Sequence, residues 1–98
     1  MKSYKQATGP NDLKPDRPML SWRPTKKMVV LACKGQRCKV VHFGAKGMED
    51  YLTHGDKRRR ANYLTRSAGI RNAAGRLTKN DKWSANYWSR RILWLARD

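Results

Sequence analysis

The pattern of apolar and polar positions changes character twice along the chain. Over residues 1–24 apolar side chains are sparse, no helical or strand period builds up, and all four prolines (Pro10, Pro15, Pro18, Pro24) occur. Proline restricts its own backbone and that of the residue before it, so this segment is expected to be an extended arm over residues 1–25. Its few apolar residues cluster as Met19, Leu20 and Trp22, just before Arg23. Two readings stay open: a disordered tail, or an arm that docks on a neighbouring protein through Met19, Leu20, Trp22 and Arg23, since tryptophan is a common interface anchor.

From Lys26 the pattern switches to KKMVVLACKGQRCKVVHF, two β-branched runs around a glycine-containing polar link. That predicts a β-hairpin, and with apolar residues at both odd and even positions either face could be buried. A four-residue link, residues 34–37, puts Cys33 and Cys38 opposite one another. A cross-strand disulfide fits that geometry, but the N-terminus carries no apolar signal segment, and in a reducing compartment two free thiols are the expectation.

The next stretch, GAKGMEDYLTHGD, is broken by Gly44, Gly47 and Gly55 and predicts a loop with a short helical turn near residues 48–53. Asp56 then caps a helix running from Lys57 to about Ser67, with Ala61, Tyr63 and Leu64 on a modest apolar side. Arg58, Arg59 and Arg60 sweep more than half the circumference at 100° per residue, so some must face solvent or a partner. Residues 68–79 read as a loop or a short second helix. In NDKWSANYWSRRILWL, Asn80 or Asp81 is a cap candidate and Trp83, Tyr87, Trp88, Ile92 and Leu95 recur at helical spacing. This closing segment is expected to be an amphipathic helix that packs on the hairpin and supplies most of the core. The predicted fold class is thus α+β: a small hairpin or sheet followed by short helices in one domain over residues 26–98, preceded by the arm.

Charge bounds the class of partner. Lys and Arg number 23 against 7 Asp and Glu, a formal net charge of +16 in 98 residues, so the chain repels itself and seeks an anionic surface, whether a nucleic acid, an acidic protein lattice or an anionic membrane surface, among which charge alone does not choose. No apolar run is long enough to span a bilayer. The candidate contacts to an acidic protein or to phosphates are Lys57, Arg58, Arg59, Arg60, Arg66, Arg71, Arg76, Arg90 and Arg91. Nothing assembles a catalytic site: P-loop, G-x-S-x-G and H-E-x-x-H strings are missing, and Glu49 and Asp50 are adjacent in sequence. An enzyme, a cofactor and a small-molecule substrate are not expected. Cys33, Cys38, His42 and His54 are the right residue types for zinc, but their spacing is poor, and ordinary thiols and hydrogen-bonded histidines are the expectation.

The segments FGAKGMEDY (Phe43, Gly44, Gly47, Tyr51), HGDKRRRANYLTR (His54, Asp56, Tyr63) and WSANYWSRRILW (Trp83, Trp88, Trp94) resemble a family of small basic proteins encoded by large icosahedral double-stranded DNA viruses. That family's pattern runs as two strands, FGAKGxxDY, HxDxxRRxxYxxRH and a closing AxFWSRxxLW. Gly55 stands where the pattern usually has lysine, and Ser67 where a histidine often follows. The resemblance implies a viral protein of the virion, made in the host cytoplasm or nucleus, acting as a minor capsid or capsid-associated structural protein that binds coat proteins through the arm and a basic α+β knob. The alternative is a DNA-binding or genome-packaging protein that follows the phosphate backbone without base readout.

Overall fold

The computed structural model describes residues 4–96. The fold is α+β: a three-stranded antiparallel sheet followed by short helices, in two compact units divided between Gly47 and Met48.

In the first unit, β1 (Met19–Leu20), β2 (Lys26–Lys34) and β3 (Arg37–Ala45) lie side by side in that order. The β2–β3 register pairs Met28 with Phe43, Val30 with Val41, Cys33 with Cys38 and Lys34 with Arg37. Only Gly35 and Gln36 remain between the strands, so the expected four-residue link is a two-residue turn. Gly35 has φ 59°, the sign that a tight hairpin turn needs at its first central residue. Cross-strand partners share a face, so Met28, Val30, Ala32, Val41 and Phe43 form one face, and all five are buried. Val29, Leu31 and Val40 form the other. Both faces are therefore used, as a strand with apolar residues at odd and even positions requires. Phe43, Val29 and Val30 are fully enclosed, and burial of side chains of this kind stabilises by about 1.5–3 kcal/mol each.

The arm is extended, as its prolines dictate, but it docks on its own sheet. Ala7 and Leu13 bury themselves against Val29, with Met19, Trp22, Leu31 and Val40 packed around them. Ala7 N–H donates to the Leu20 carbonyl at 2.9 Å and Leu20 N–H to the Lys5 carbonyl at 2.8 Å. Asp16 N–H donates to the Leu31 carbonyl at 2.8 Å, and the Asp16 carboxylate accepts from Cys33 N–H at 3.1 Å. Met19 and Trp22, expected as candidate anchors for a neighbour, are half-buried against their own sheet. Both pack within their own chain, because the apolar face of β2 and β3 and the outer backbone groups of β2 need cover that the arm supplies. Of the named docking residues, Leu20 is 36% exposed and Arg23 is exposed.

A correction concerns the cysteines. Cys33 and Cys38 are joined as a disulfide rather than left as thiols, across the last pair but one of the hairpin.

Beside this pair of faces, Ser21 ties the arm to β3. Arg23 N–H donates to Ser21 Oγ at 3.0 Å, and the Ser21 hydroxyl and His42 Nδ1 share a hydrogen bond at 2.8 Å. Trp22 meets the same imidazole edge-on at 4.8 Å. Burial first, then the charges of Arg23 and Lys26, lower the His42 pKa.

The second unit holds α1 (Tyr51–His54), α2 (Lys57–Ser67) and α3 (Ala85–Trp88), with a 3₁₀ turn at Thr78–Asn80 and a π-turn at Ser89–Leu93. The closing helix is shorter than its apolar spacing predicts. Its cap is Ser84, whose hydroxyl accepts from Asn86 N–H at 3.2 Å, while Asp81 instead accepts from Trp83 N–H in the preceding turn. It contributes buried Trp88, Leu93 and Trp94 to the second unit, and in the first unit Ala7 and Leu13 of the arm are buried with Val29.

Because His42 titrates lower in the fold than in an unfolded chain, the unfolded state binds more protons between the two pKa values. Stability therefore rises with pH through that window and falls as pH drops below about 6.5, the ordinary imidazole value. Thermal unfolding of the protein and of His42→Gln from pH 7.5 to 5 should show the larger acid-side loss in the parent. Equal losses would remove His42 from this role.

Candidate functional site

The basic run begins at a double cap. Asp50 closes the first turn of α1: its carboxylate accepts from Thr53 N–H at 3.2 Å, and the Thr53 hydroxyl accepts from Asp50 N–H at 3.0 Å. Gly55, at φ 64°, ends α1 in the left-handed conformation. Asp56 then starts α2 by accepting from Arg58 N–H at 2.9 Å and Arg59 N–H at 3.2 Å. The backbone bond from Arg59 is the largest cause of the lowered Asp56 pKa. His54 Nδ1 accepts from Asp56 N–H at 2.8 Å, and its buried Nε2 meets no hydrogen-bond partner among the described residues.

Three consecutive arginines then take three roles, as 100° steps require. Arg58 points outward and is exposed. Arg59 pairs with Glu49 at 2.7 Å, both side chains more than half exposed, a contact worth at most about 1 kcal/mol. Arg60 turns inward: Nε donates to the Trp94 carbonyl at 2.7 Å and an Nη to the Leu95 carbonyl at 2.6 Å, and the guanidinium lies 5.3 Å from the Tyr51 ring centre. Leu95 holds φ 54° where its carbonyl meets Arg60.

The residues that carry the family resemblance converge here. Tyr63 stacks on Trp94 at 4.1 Å and 11°, His54 tilts against Trp94 at 5.3 Å, and Tyr51 meets His54 at 6.2 Å. The π-turn makes this possible: Trp94 N–H reaches back to the Ser89 carbonyl, and the extra residue swings the ring onto Tyr63. Trp88 donates from Nε1 to the Lys82 carbonyl at 2.7 Å, and Trp83 is half-buried. Phe43 belongs to the core of the first unit, and Gly44 and Gly47 take φ 76° and 87° beyond it.

Two further arginines from the candidate list are internal. Arg90 is 3% exposed and donates to the Leu64 carbonyl and the Ser67 hydroxyl, both at 2.6 Å. Its cation sits on the last turn of α2, where carbonyl groups and the helix dipole favour positive charge. Arg91 lies 3.7 Å over the Tyr87 ring and donates to the Lys79 and Tyr87 carbonyls. Arg71 donates to the Gly75 carbonyl at 2.7 Å. Lys57, Arg58, Arg66 and Arg76 are exposed, and among the described residues their side chains meet no hydrogen-bond acceptor or carboxylate.

The candidate list thus divides. Arg60, Arg90 and Arg91 build the second unit, Arg59 and Arg71 have local partners, and Lys57, Arg58, Arg66 and Arg76 are available to a ligand. On a helical projection Arg58 lies on the side of α2 opposite Tyr63 and Leu64, with Arg66 about 80° from it and the short side chains of Asn62 and Thr65 alongside, whereas Lys57, seven residues before Leu64, falls near Leu64's side of the helix. An anionic surface can approach this side closely. Glu49 as a partner and Ser21 as the hydroxyl on His42 were not anticipated. Nothing in the residue pattern marks either contact, since each joins residues ten or more apart through tertiary packing. Among the described residues no three His, Cys, Asp or Glu side chains come together as a metal site would need.

Removing an internal arginine leaves buried acceptors unpaired, which costs about 1–3 kcal/mol, whereas an exposed residue without partners changes stability by about 0.5 kcal/mol or less. Urea unfolding should accordingly rank Arg90→Met well below the parent and leave Arg58→Met near it. Equal midpoints for the two variants would contradict this division of roles.

No curated protein and no solved structure matches the chain. One family model matches, over residues 19–67: all three strands, the double cap and the whole of α2, or half of the chain. The chain belongs to that family, a family of unknown function designated DUF5754.

Proposed function

We propose that the chain is a minor structural protein of the particle of a large icosahedral double-stranded DNA virus, attached to acidic surfaces of the coat proteins through the cations that its own fold leaves unpaired. The viral setting rests on the resemblance of residues 43–94. The mode of attachment rests on one observation, the division of the basic residues. In the second unit Lys57, Arg58, Arg66 and Arg76 have no internal partner among the described residues, and in the first unit the same holds for the side chains of Lys5, Lys14, Arg17, Arg37, Lys39 and Lys46. Cations distributed over both units suit many individually weak contacts with several neighbours, which add through effective concentration. The arm serves this role by completing the sheet, and exposed Leu20 and Arg23 remain its contact residues.

A DNA-binding role is favoured by one feature, the cationic outer side of α2. Two phosphate contacts there, from Arg58 and Arg66, would give affinity falling with salt at a slope of about −2 in a double-logarithmic plot.

Crosslinking with mass spectrometry on intact particles separates the two. Lysine crosslinks from Lys5, Lys14, Lys46 and Lys57 to coat proteins are expected. Ultraviolet adducts with nucleic acid centred on residues 57–76, without coat crosslinks, would overturn the structural reading in favour of genome binding.

A further inference from the structure

The two edges of the sheet are in different states. On the β1 side, Ser21 N–H donates to the Lys27 carbonyl at 3.0 Å, Asp16 N–H donates to the Leu31 carbonyl at 2.8 Å, and Cys33 N–H donates to the Asp16 carboxylate. Odd-numbered residues of β2 therefore turn their backbone groups to the arm, and even-numbered ones bond to β3, as the alternation of an antiparallel ladder demands. Through the register, the β3 residues bonded to β2 are Arg37, Lys39, Val41, Phe43 and Ala45. Cys38, Val40, His42 and Gly44 must then direct their N–H and C=O groups to the outer edge. Among the described residues no hydrogen bond uses those groups. The edge is nine residues long and has neither proline nor an interruption of register, two of the features by which natural sheets block pairing with other chains.

Charge specifies what suits this edge. Arg37 and Lys39 are exposed on one face of β3 near the turn, and Lys34 stands directly opposite Arg37. A carboxylate on a neighbouring strand opposite Arg37 or Lys39 forms a favourable cross-strand pair. A second copy of a chain with net charge +16 brings more of the same sign.

We infer that the outer edge of β3 receives an extended acidic segment of another protein as a fourth strand, main chain to main chain at Cys38, Val40 and His42, with carboxylates facing Arg37 and Lys39. Backbone bonds supply the affinity and the cations select for acidity, as in other cases of strand addition. The inference does not depend on the partner being a coat protein.

The test uses the full chain and a fluorescein-labelled peptide of alternating glutamate and valine. Binding is read by anisotropy and located by amide hydrogen exchange. Peptide binding should protect the amides of Val40 and His42, and the double reversal Arg37→Glu, Lys39→Glu should weaken it at least about tenfold. Val40→Pro removes a donor that β2 does not use and should weaken binding similarly. Protection of the Val40 and His42 amides by the peptide should persist when Arg58 and Arg66 on α2 are reversed, even as the loss of those cations lowers the overall affinity for an acidic ligand. Should Val40→Pro not fold, protection in the parent protein decides. Protection confined to α2, or loss of binding only on α2 reversal, would overturn the inference. So would edge protection without peptide that accompanies self-association in sedimentation, because the occupant would then be a second copy.

Discussion

The structure is governed by an imbalance of charge that no internal pairing can remove. Against 23 basic residues stand 7 acidic ones, so even complete one-to-one pairing leaves 23 − 7 = 16 cations unmatched. The carboxylates are also engaged by the backbone: those of Asp12, Asp16, Asp50, Asp56 and Asp81 each accept from a main-chain N–H. They close turns and start helices, where an N–H without an acceptor would otherwise be costly. Cations that must enter the interior are matched by carbonyl groups and aromatic rings instead. Arg60 takes the carbonyls of Trp94 and Leu95, Arg90 that of Leu64, and Arg91 the face of Tyr87. The remaining positive charge stays at the surface, where the fold tolerates it.

Each unit has its own solution to the small size of its core. The first covers the Val29, Leu31 and Val40 face of its hairpin by wrapping its arm along β2, so that proline-rich chain with no period of its own becomes part of a sheet. The second gathers Tyr51, His54, Tyr63 and Trp94 into an aromatic cluster closed by Arg60. Much of the motif that carries the viral resemblance is thereby accounted for by architecture. Its tyrosines, histidine, tryptophans and inner arginines hold the second unit together, and Arg58 and Arg66 face outward from it.

The elements written in local sequence were readable and those set by distant contacts were not. Asp56 and the apolar spacing of Tyr63 and Leu64 mark α2 from Lys57 to Ser67, and the β-branched runs mark the hairpin, because capping and periodicity are local. The fate of Met19 and Trp22 depended on which surface they would meet, and their own sheet satisfied them. The closing segment has helical spacing, yet the π-turn at Ser89–Leu93 breaks it, since stacking Trp94 on Tyr63 outweighs regular hydrogen bonding. A run such as Arg58, Arg59, Arg60 reads as one basic patch, and only the orientation of α2 separates the exposed cation from the buried one.

Outward cations awaiting an anionic partner form the central claim, and thermal unfolding at low ionic strength in the presence of soluble poly-L-glutamate tests it most directly. A ligand that binds only the folded chain raises its stability by mass action. The account predicts that Tm rises with polyglutamate to a plateau, and that replacing Lys57, Arg58 and Arg66 together by Gln diminishes the rise. A Tm that stays flat or falls across the titration would contradict it.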